Sequence, residues 1–144
     1  MIRAYVDTNI FLNVWGEEID PKSRKELWKG SKDFLKRIEK GEIEGITSIT
    51  TLMEIVHLFK VREKDYNEAL KDLRRLGIHV LVPDSWVMIK AFEYEIKHDL
   101  DPYDSIAFAV AESAESEIFV TRDKKLKKKI GGIINFRARR CLDS

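Results

Sequence analysis

Short, nearly continuous apolar runs alternate along this chain with longer stretches in which apolar residues recur every three or four positions. The first kind reads as buried strand and the second as amphipathic helix, because side chains alternate along a strand and return every three to four residues on a helix. Ile2–Val6 is the first predicted strand. A helical region follows, with Pro21 suited to a helix start and Leu27, Trp28, Phe34, Leu35 and Ile38 at near-helical spacing as far as Gly41. "EIEGITS" reads as a second strand, after which Thr47 or Ser48 can cap the helix "ITTLMEIVHLFK". The amphipathic "KDYNEALKDLRRLG" stops at Gly77, "IHVLVP" makes a third strand, and "DSWVMIKAFEYEIKHD" and "DPYDSIAFAVAESAE" make two further helices. "EIFVT" is a fourth strand, and "GIINF", after a short basic helix, is a candidate fifth.

Strands alternating with helices predict an α/β chain, a three-layer α/β/α arrangement around a central parallel sheet of four to five strands. No repeat, low-complexity tract or Gly/Ser/Pro linker interrupts the pattern, so residues 1–144 are expected to form a single domain. Ligands of such sheets bind beyond the carboxyl ends of the strands, where the strand order reverses. Asp7, directly after the first strand, is expected there, and the fourth strand ends similarly in "FVTRD".

Composition changes this picture only at the margins. With 44% hydrophobic and 35% charged residues the chain reads as soluble and globular, and a net charge of +1 names no partner. The single cysteine, Cys141, excludes an internal disulfide framework and a multi-cysteine zinc site, and suits a reducing cytoplasm. No apolar run approaches the roughly 18 residues of a membrane span, and the chain enters a strand at once, so no signal peptide is expected. Glutamine is absent while Lys and Glu are abundant, a composition that leans towards a thermophilic source. Net charge also conceals an asymmetry: residues 122–144 carry +7 and the rest of the chain −6. A basic cluster of this kind is either a solvated lysine-rich helix or a surface for phosphate backbones.

Four of the 25 acidic residues stand in apolar or strand-end contexts. Asp7 ends the first strand and Asp123 the fourth. Glu54 lies on a helix whose Ile49, Leu52, Met53, Ile55, Val56, Leu58 and Phe59 cover most of its circumference, and Asp104 opens the apolar "SIAFAVA". Each has a structural explanation: Asp7 and Asp123 can cap the helices that follow, Glu54 can pair with an arginine, and Asp101-Pro102-Tyr103-Asp104 reads as N-cap, proline and first-turn acid. A shared location makes the set chemically demanding. Two carboxylates about 5 Å apart repel by roughly 3 kcal/mol at an effective dielectric near 20, so four cannot all stay ionised without a cation. An all-oxygen donor set favours Mg²⁺ or Mn²⁺ over zinc, and such an ion suits phosphodiester hydrolysis.

The segments "YVDTNIF", "SITTLMEI", "LDPYDSIAFAVAE" and "FVTRDKKL" together resemble the PIN domain, a Mg²⁺/Mn²⁺-dependent ribonuclease fold, and in particular the VapC-like toxins of toxin–antitoxin pairs. The resemblance runs from Ile2 to about Phe136. It implies Asp7, Glu54 and Asp104 as the first three metal-binding and catalytic acids, and Asp123 as a fourth, supportive one. Thr8, Asn9 and Thr121 fall at positions that orient the acids. With Asp7 so engaged, helix capping is expected of Thr8 or Asn9 instead. Asp101 is assigned the N-cap of its helix. Arg122 is expected either to contact substrate, to neutralise the acids before metal arrives, or simply to lie on the surface. With Lys124 and Lys125 it heads the basic tail available for substrate phosphates. The resemblance further implies an RNA substrate cut to leave a 5′-phosphate and a 3′-hydroxyl, an antitoxin partner, a homodimer and a cytoplasmic, membrane-free location. A lone domain without an appended RNA-binding module looks like the toxin type.

Other chemistries lack support in the residues. His57, His79 and His98 share no metal-ligand spacing, and no serine or cysteine has an evident partner base. Trp15, Trp28 and Trp86 lie in helical segments as core or interface anchors rather than base-stacking platforms. A phosphoaspartyl transferase would place a second Asp where Asn9 stands, or an acidic pair where Asp7 stands alone. An RNA-processing nuclease outside any toxin pair and a non-catalytic RNA- or protein-binding module remain as alternatives, and retention of all four acids argues against the second.

Overall fold

The computed structural model describes residues 1–16, 24, 26–131 and 140–141. β1 (Ile2–Val6), β2 (Ile43–Ser48), β3 (His79–Leu81), β4 (Ile118–Thr121) and the two-residue β5 (Arg140–Cys141) form one sheet in the order β3-β2-β1-β4-β5. Every pairing is parallel. The chain winds outwards from β1 through β2 to β3, then returns to the other side of β1 as β4. The order therefore reverses between β1 and β4, where Tyr5 pairs with Phe119 and Val6 with Val120. Their carboxyl ends open the crevice in which parallel α/β sheets bind ligands.

Helices pack on both faces. α1 (Thr8–Trp15), α2 (Leu27–Glu39) and α4 (Tyr66–Leu76) enclose a core of Val6, Ile10, Phe11, Phe34, Leu35, Leu73 and Val120. On the opposite face α5 (Ser85–His98) and α6 (Pro102–Ser113) cover Tyr5, Phe108 and Phe119. Tyr5, Phe119 and Phe108 stack with ring centroids 4.9 and 5.1 Å apart. This aromatic column fixes the spacing of β1, β4 and α6, the three elements whose ends carry Asp7, Thr121 and Asp104. α3 (Ile49–Val61) follows β2 directly, and α7 (Lys124–Gly131) follows β4.

The local signals act where the residue pattern puts them. Gly77 closes α4 in a left-handed conformation, φ 75°, that costs glycine nothing. Ser48, of the two candidates, caps α3 by accepting from Thr50 N. Pro21 and "GIINF" lie outside the described residues, and the fifth strand that is described falls at Arg140–Cys141. α3 is not enclosed on all sides, because Met53 and Val61 are exposed and Leu52, Val56 and Leu58 only partly buried. Trp86 is 78% exposed, which excludes the core one of the two roles, core or interface anchor, expected of it.

Candidate active site

Asp7 leaves β1 at the strand's buried carboxyl end and enters α1 as its N-cap. Its Oδ1 accepts from the backbone N–H of Thr8 at 2.9 Å. Capping thus falls to Asp7 itself rather than to Thr8 or Asn9, and it engages one carboxylate oxygen. The other, Oδ2, accepts from Thr121 Oγ1 at 2.7 Å and from Asn9 Nδ2 at 3.2 Å. Asn9 also donates to Thr121 Oγ1 at 3.2 Å, and its Oδ1 accepts the backbone N–H of Arg122 at 3.1 Å. The ends of β1 and β4 are therefore tied through side chains as well as through the sheet.

Glu54 projects from α3 and accepts at Oε1 from Thr8 Oγ1 at 3.1 Å. Behind it runs a buried column of hydroxyls: Thr8 Oγ1 lies 3.4 Å from Thr51 Oγ1, which lies 2.8 Å from Thr47 Oγ1, and Thr47 donates to the carbonyl of Val6 at 3.0 Å. Thr51 was not picked out from the sequence, and Thr47 was read only as a candidate helix cap. The available signal was positional, since Thr51 sits three residues before Glu54 and so shares its helix face.

Asp104 stands in the first turn of α6, its backbone N–H donating to Asp101 Oδ1 at 2.8 Å. Asp101 is the N-cap, as the Asp-Pro signature predicted, and it also joins the acidic group. Asp123 follows β4 and caps α7 by accepting from Leu126 N at 3.0 Å, while its own N–H donates to Thr121 Oγ1 at 3.0 Å. Thr121 thus contacts Asp7, Asn9 and Asp123 at once.

Electrostatics show that these acids feel one another. Burial first, and then the charges of Asp123 and Asp101, push the Asp7 carboxyl above its ordinary range. Burial raises Glu54 likewise, opposed by the Thr8 hydrogen bond and reinforced by Asp7 and Asp101. Asp104 is displaced to about 8, by burial first and then by the charges of Asp101, Asp7 and Asp123 and a hydrogen bond with the Asp101 side chain. The fold brings all four predicted acids, with Asp101, into one field. Among the described residues no three of them already converge within bonding range of a single point. The donors fit a divalent ion by chemistry: they are oxygens, and a cation among them would offset the burial and mutual repulsion that raise Asp7, Glu54 and Asp104.

A cavity of about 380 Å³ adjoins the acids, lined by Asp101, Asp104, Asp123, Lys125 and Lys129 among others. Lys124 and Lys125 are exposed on α7, and Lys129 Nζ donates to the carbonyl of Asp99 at 2.7 Å. The Arg122 guanidinium reaches α2, with Nη2 3.3 Å from Ser31 Oγ. Gly30 leaves it room, since a Cβ there would lie 3.2 Å from Nη2.

A three-layer parallel α/β/α fold with a carboxylate cluster at the reversal of strand order defines a class of domains with acidic, cation-ready sites. Within it, this chain belongs to the PIN domain family, whose family model matches residues 4–131. No curated protein sequence matches the chain. Among solved structures the fold is similar to Mycobacterium tuberculosis VapC20, a Sarcin-Ricin loop cleaving toxin, with a TM-score of 0.65 and 19% identity over 91% of this chain and 96% of that one. A chain of a toxin–antitoxin complex from Klebsiella pneumoniae is also similar, with a TM-score of 0.63 and 18% identity over 90% and 92% of the two chains.

Proposed function

We propose that this chain is a Mg²⁺- or Mn²⁺-dependent endoribonuclease that hydrolyses RNA phosphodiester bonds, and that it is the toxin of a toxin–antitoxin pair acting in the cytoplasm as a homodimer. What supports the reading is that Asp7, Glu54, Asp104 and Asp123, near the carboxyl ends of β1 and β4, lie close enough for their charges to act within one group. Membership of the PIN family supports the nuclease part, and the toxins that share the fold support the pairing with an antitoxin.

In this reading Asp7, Glu54, Asp104 and Asp123 hold the cation. When bound, it supplies an acidified water and stabilises charge on the phosphoryl and leaving oxygens. The remaining work belongs to the chain. Thr121 and Asn9 fix Oδ2 of Asp7, and the N–H of Thr8 fixes Oδ1, so the carboxylate cannot rotate away. Thr8 orients Glu54 from one side. Lys124 and Lys125 on α7 draw in the RNA backbone by releasing its counter-ions.

The test is incubation of the purified chain with a structured RNA, with Mg²⁺ or Mn²⁺ and again with excess chelator. Cleavage that requires the ion and leaves 5′-phosphate ends is expected. Cleavage that persists in chelator, or ends carrying a 2′,3′-cyclic phosphate, would refute the assignment.

A further inference from the structure

α1 and α2 meet along an apolar seam that includes Ile10, Phe11, Phe34 and Leu35. Two polar side chains, Asn13 and Ser31, are buried there as well. Burying polar groups is costly unless they are hydrogen-bonded. Ser31 Oγ donates to Asn13 Oδ1 at 3.2 Å and accepts from Nη2 of Arg122 at 3.3 Å. The other end of Arg122, its backbone N–H, donates to Asn9 Oδ1 at 3.1 Å. Asn9 and Asn13 stand about one turn apart on α1, roughly 5.4 Å along its axis. Arg122 therefore lies along α1, its peptide pinned by the first asparagine and its head, through Ser31, by the second. Both neighbours of that peptide belong to the acidic site. Thr121 donates to Asp7 Oδ2 at 2.7 Å, and the Asp123 N–H donates to Thr121 Oγ1 at 3.0 Å.

We propose that Arg122 is a positioning residue for the acidic site. Its guanidinium, anchored at Ser31 in the α1–α2 seam, clamps the turn from Thr121 to Asp123 against α1 and so sets where the Asp7 and Asp123 carboxylates stand. Direction separates this role from one of charge alone. The guanidinium bonds a serine that has no exposed surface, whereas the acids open on the crevice beyond β1 and β4. Gly30 supplies a second, independent observation. It is an exposed glycine inside α2, where alanine would be the better helix former. Among the described residues, the one heavy atom within 4 Å of where its Cβ would lie is Nη2 of Arg122, at 3.2 Å. The bare backbone at Gly30 leaves the guanidinium its place.

The inference rests on the proposed cation site, because it concerns where that site's carboxylates stand, but the clamp itself can be read without any cation. Position and charge also carry opposite signs for Mn²⁺ binding. An arginine that acted only through its charge would repel the ion, so its loss would tighten binding. An arginine that positions the ligands leaves them less well placed when lost, so binding weakens.

Two measurements on the purified full chain test it. In chelator, amide hydrogen exchange is followed by NMR in wild type, Arg122→Met, Arg122→Lys and Ser31→Ala. Exchange at the Arg122 and Asp123 amides is expected to quicken at least about 10-fold in each variant, with protection in β1 and β4 unchanged. Arg122→Lys is included because lysine keeps the charge and lacks the planar fork. Titration with Mn²⁺ alone, read from the EPR signal of the free ion, is expected to show affinity about 10-fold lower in the same three variants. Gly30→Ala is expected to bind Mn²⁺ more weakly as well, although its melting temperature does not fall. Unchanged exchange, an Arg122→Met that binds Mn²⁺ as tightly as wild type or more so, or an Arg122→Lys that matches wild type would each overturn the proposal. Should Arg122→Met fail to fold, Gly30→Ala decides, and an affinity there equal to that of wild type would overturn it. A wild type that binds no Mn²⁺ would overturn the cation site itself, and this inference with it.

Discussion

At Asp7 the sequence offered two readings, helix cap or ligand, and the structure shows that a carboxylate has oxygens enough for capping and for the Thr121–Asn9 network together. The acids were legible because a charge in an apolar context is costly and so conspicuous. Thr8 and Thr121, whose hydroxyls touch the acids, were expected at orienting positions from the resemblance. The site role of Thr47 and Thr51 behind Thr8 was not, since they are ordinary residues for a strand end and a helix. Thr121→Val keeps the shape and removes the 2.7 Å hydrogen bond to Asp7. Leaving that partly buried carboxylate short of a donor is expected to destabilise the chain by about 1–3 kcal/mol, read from urea denaturation; a loss no greater than that of a surface Thr→Val control would contradict it. Asp104 gives a pH prediction. Its carboxyl is raised to about 8 in the fold, so the protonated form favours folding. That contribution is complete below about pH 4 and is lost as the pH climbs to about 8. In chelator, the melting temperature of wild type should therefore fall over this range more steeply than that of Asp104→Asn. Parallel curves would mean that Asp104 does not bear the strain.

Among the elements, α6 was the easiest to foresee and α5 the easiest to misjudge. Asp-Pro followed by an apolar run specifies a helix start through capping and proline geometry, which are local. Whether Trp86 faces a core or open water depends on which side of α5 packs against α6, and both sides are apolar. Packing partners are a tertiary fact that periodicity does not contain. The order of strands has the same character: alternation implied a parallel sheet, while the reversal between β1 and β4 emerges only when the sheet is assembled. For α6 itself, Asp101→Ala removes the cap bonded to Asp104 N and also the charge that acts most strongly on Asp104 after burial. The cap loss should cost about 1 kcal/mol. The charge loss should bring the Asp104 titration, followed by carboxyl carbon NMR, to lower pH. An unmoved titration would place Asp101 outside the acidic group.

For the whole molecule, the separation of charge matters more than the total of +1. α7 sets exposed lysines beside the acidic crevice, so a polyanion can be attracted to the rim of a site whose centre repels it until a cation binds. RNA affinity should therefore fall steeply with salt, and Lys124→Ala with Lys125→Ala should lower the log–log slope by about 1–2 if both touch phosphates. A slope unchanged by the pair would move the RNA path away from α7. No helix among the described residues is long and apolar enough to cross a membrane. In the proposed function the acids near the ends of β1 and β4 hold the ion needed to cut RNA. That role is tested most directly by comparing cleavage rates of wild type, Asp7→Asn and Asp104→Asn in saturating Mn²⁺, with folding checked by circular dichroism. Both folded variants are expected to lose at least about 100-fold in rate, on the order of 3 kcal/mol of transition-state stabilisation. Folded variants that cut as fast as wild type would contradict it.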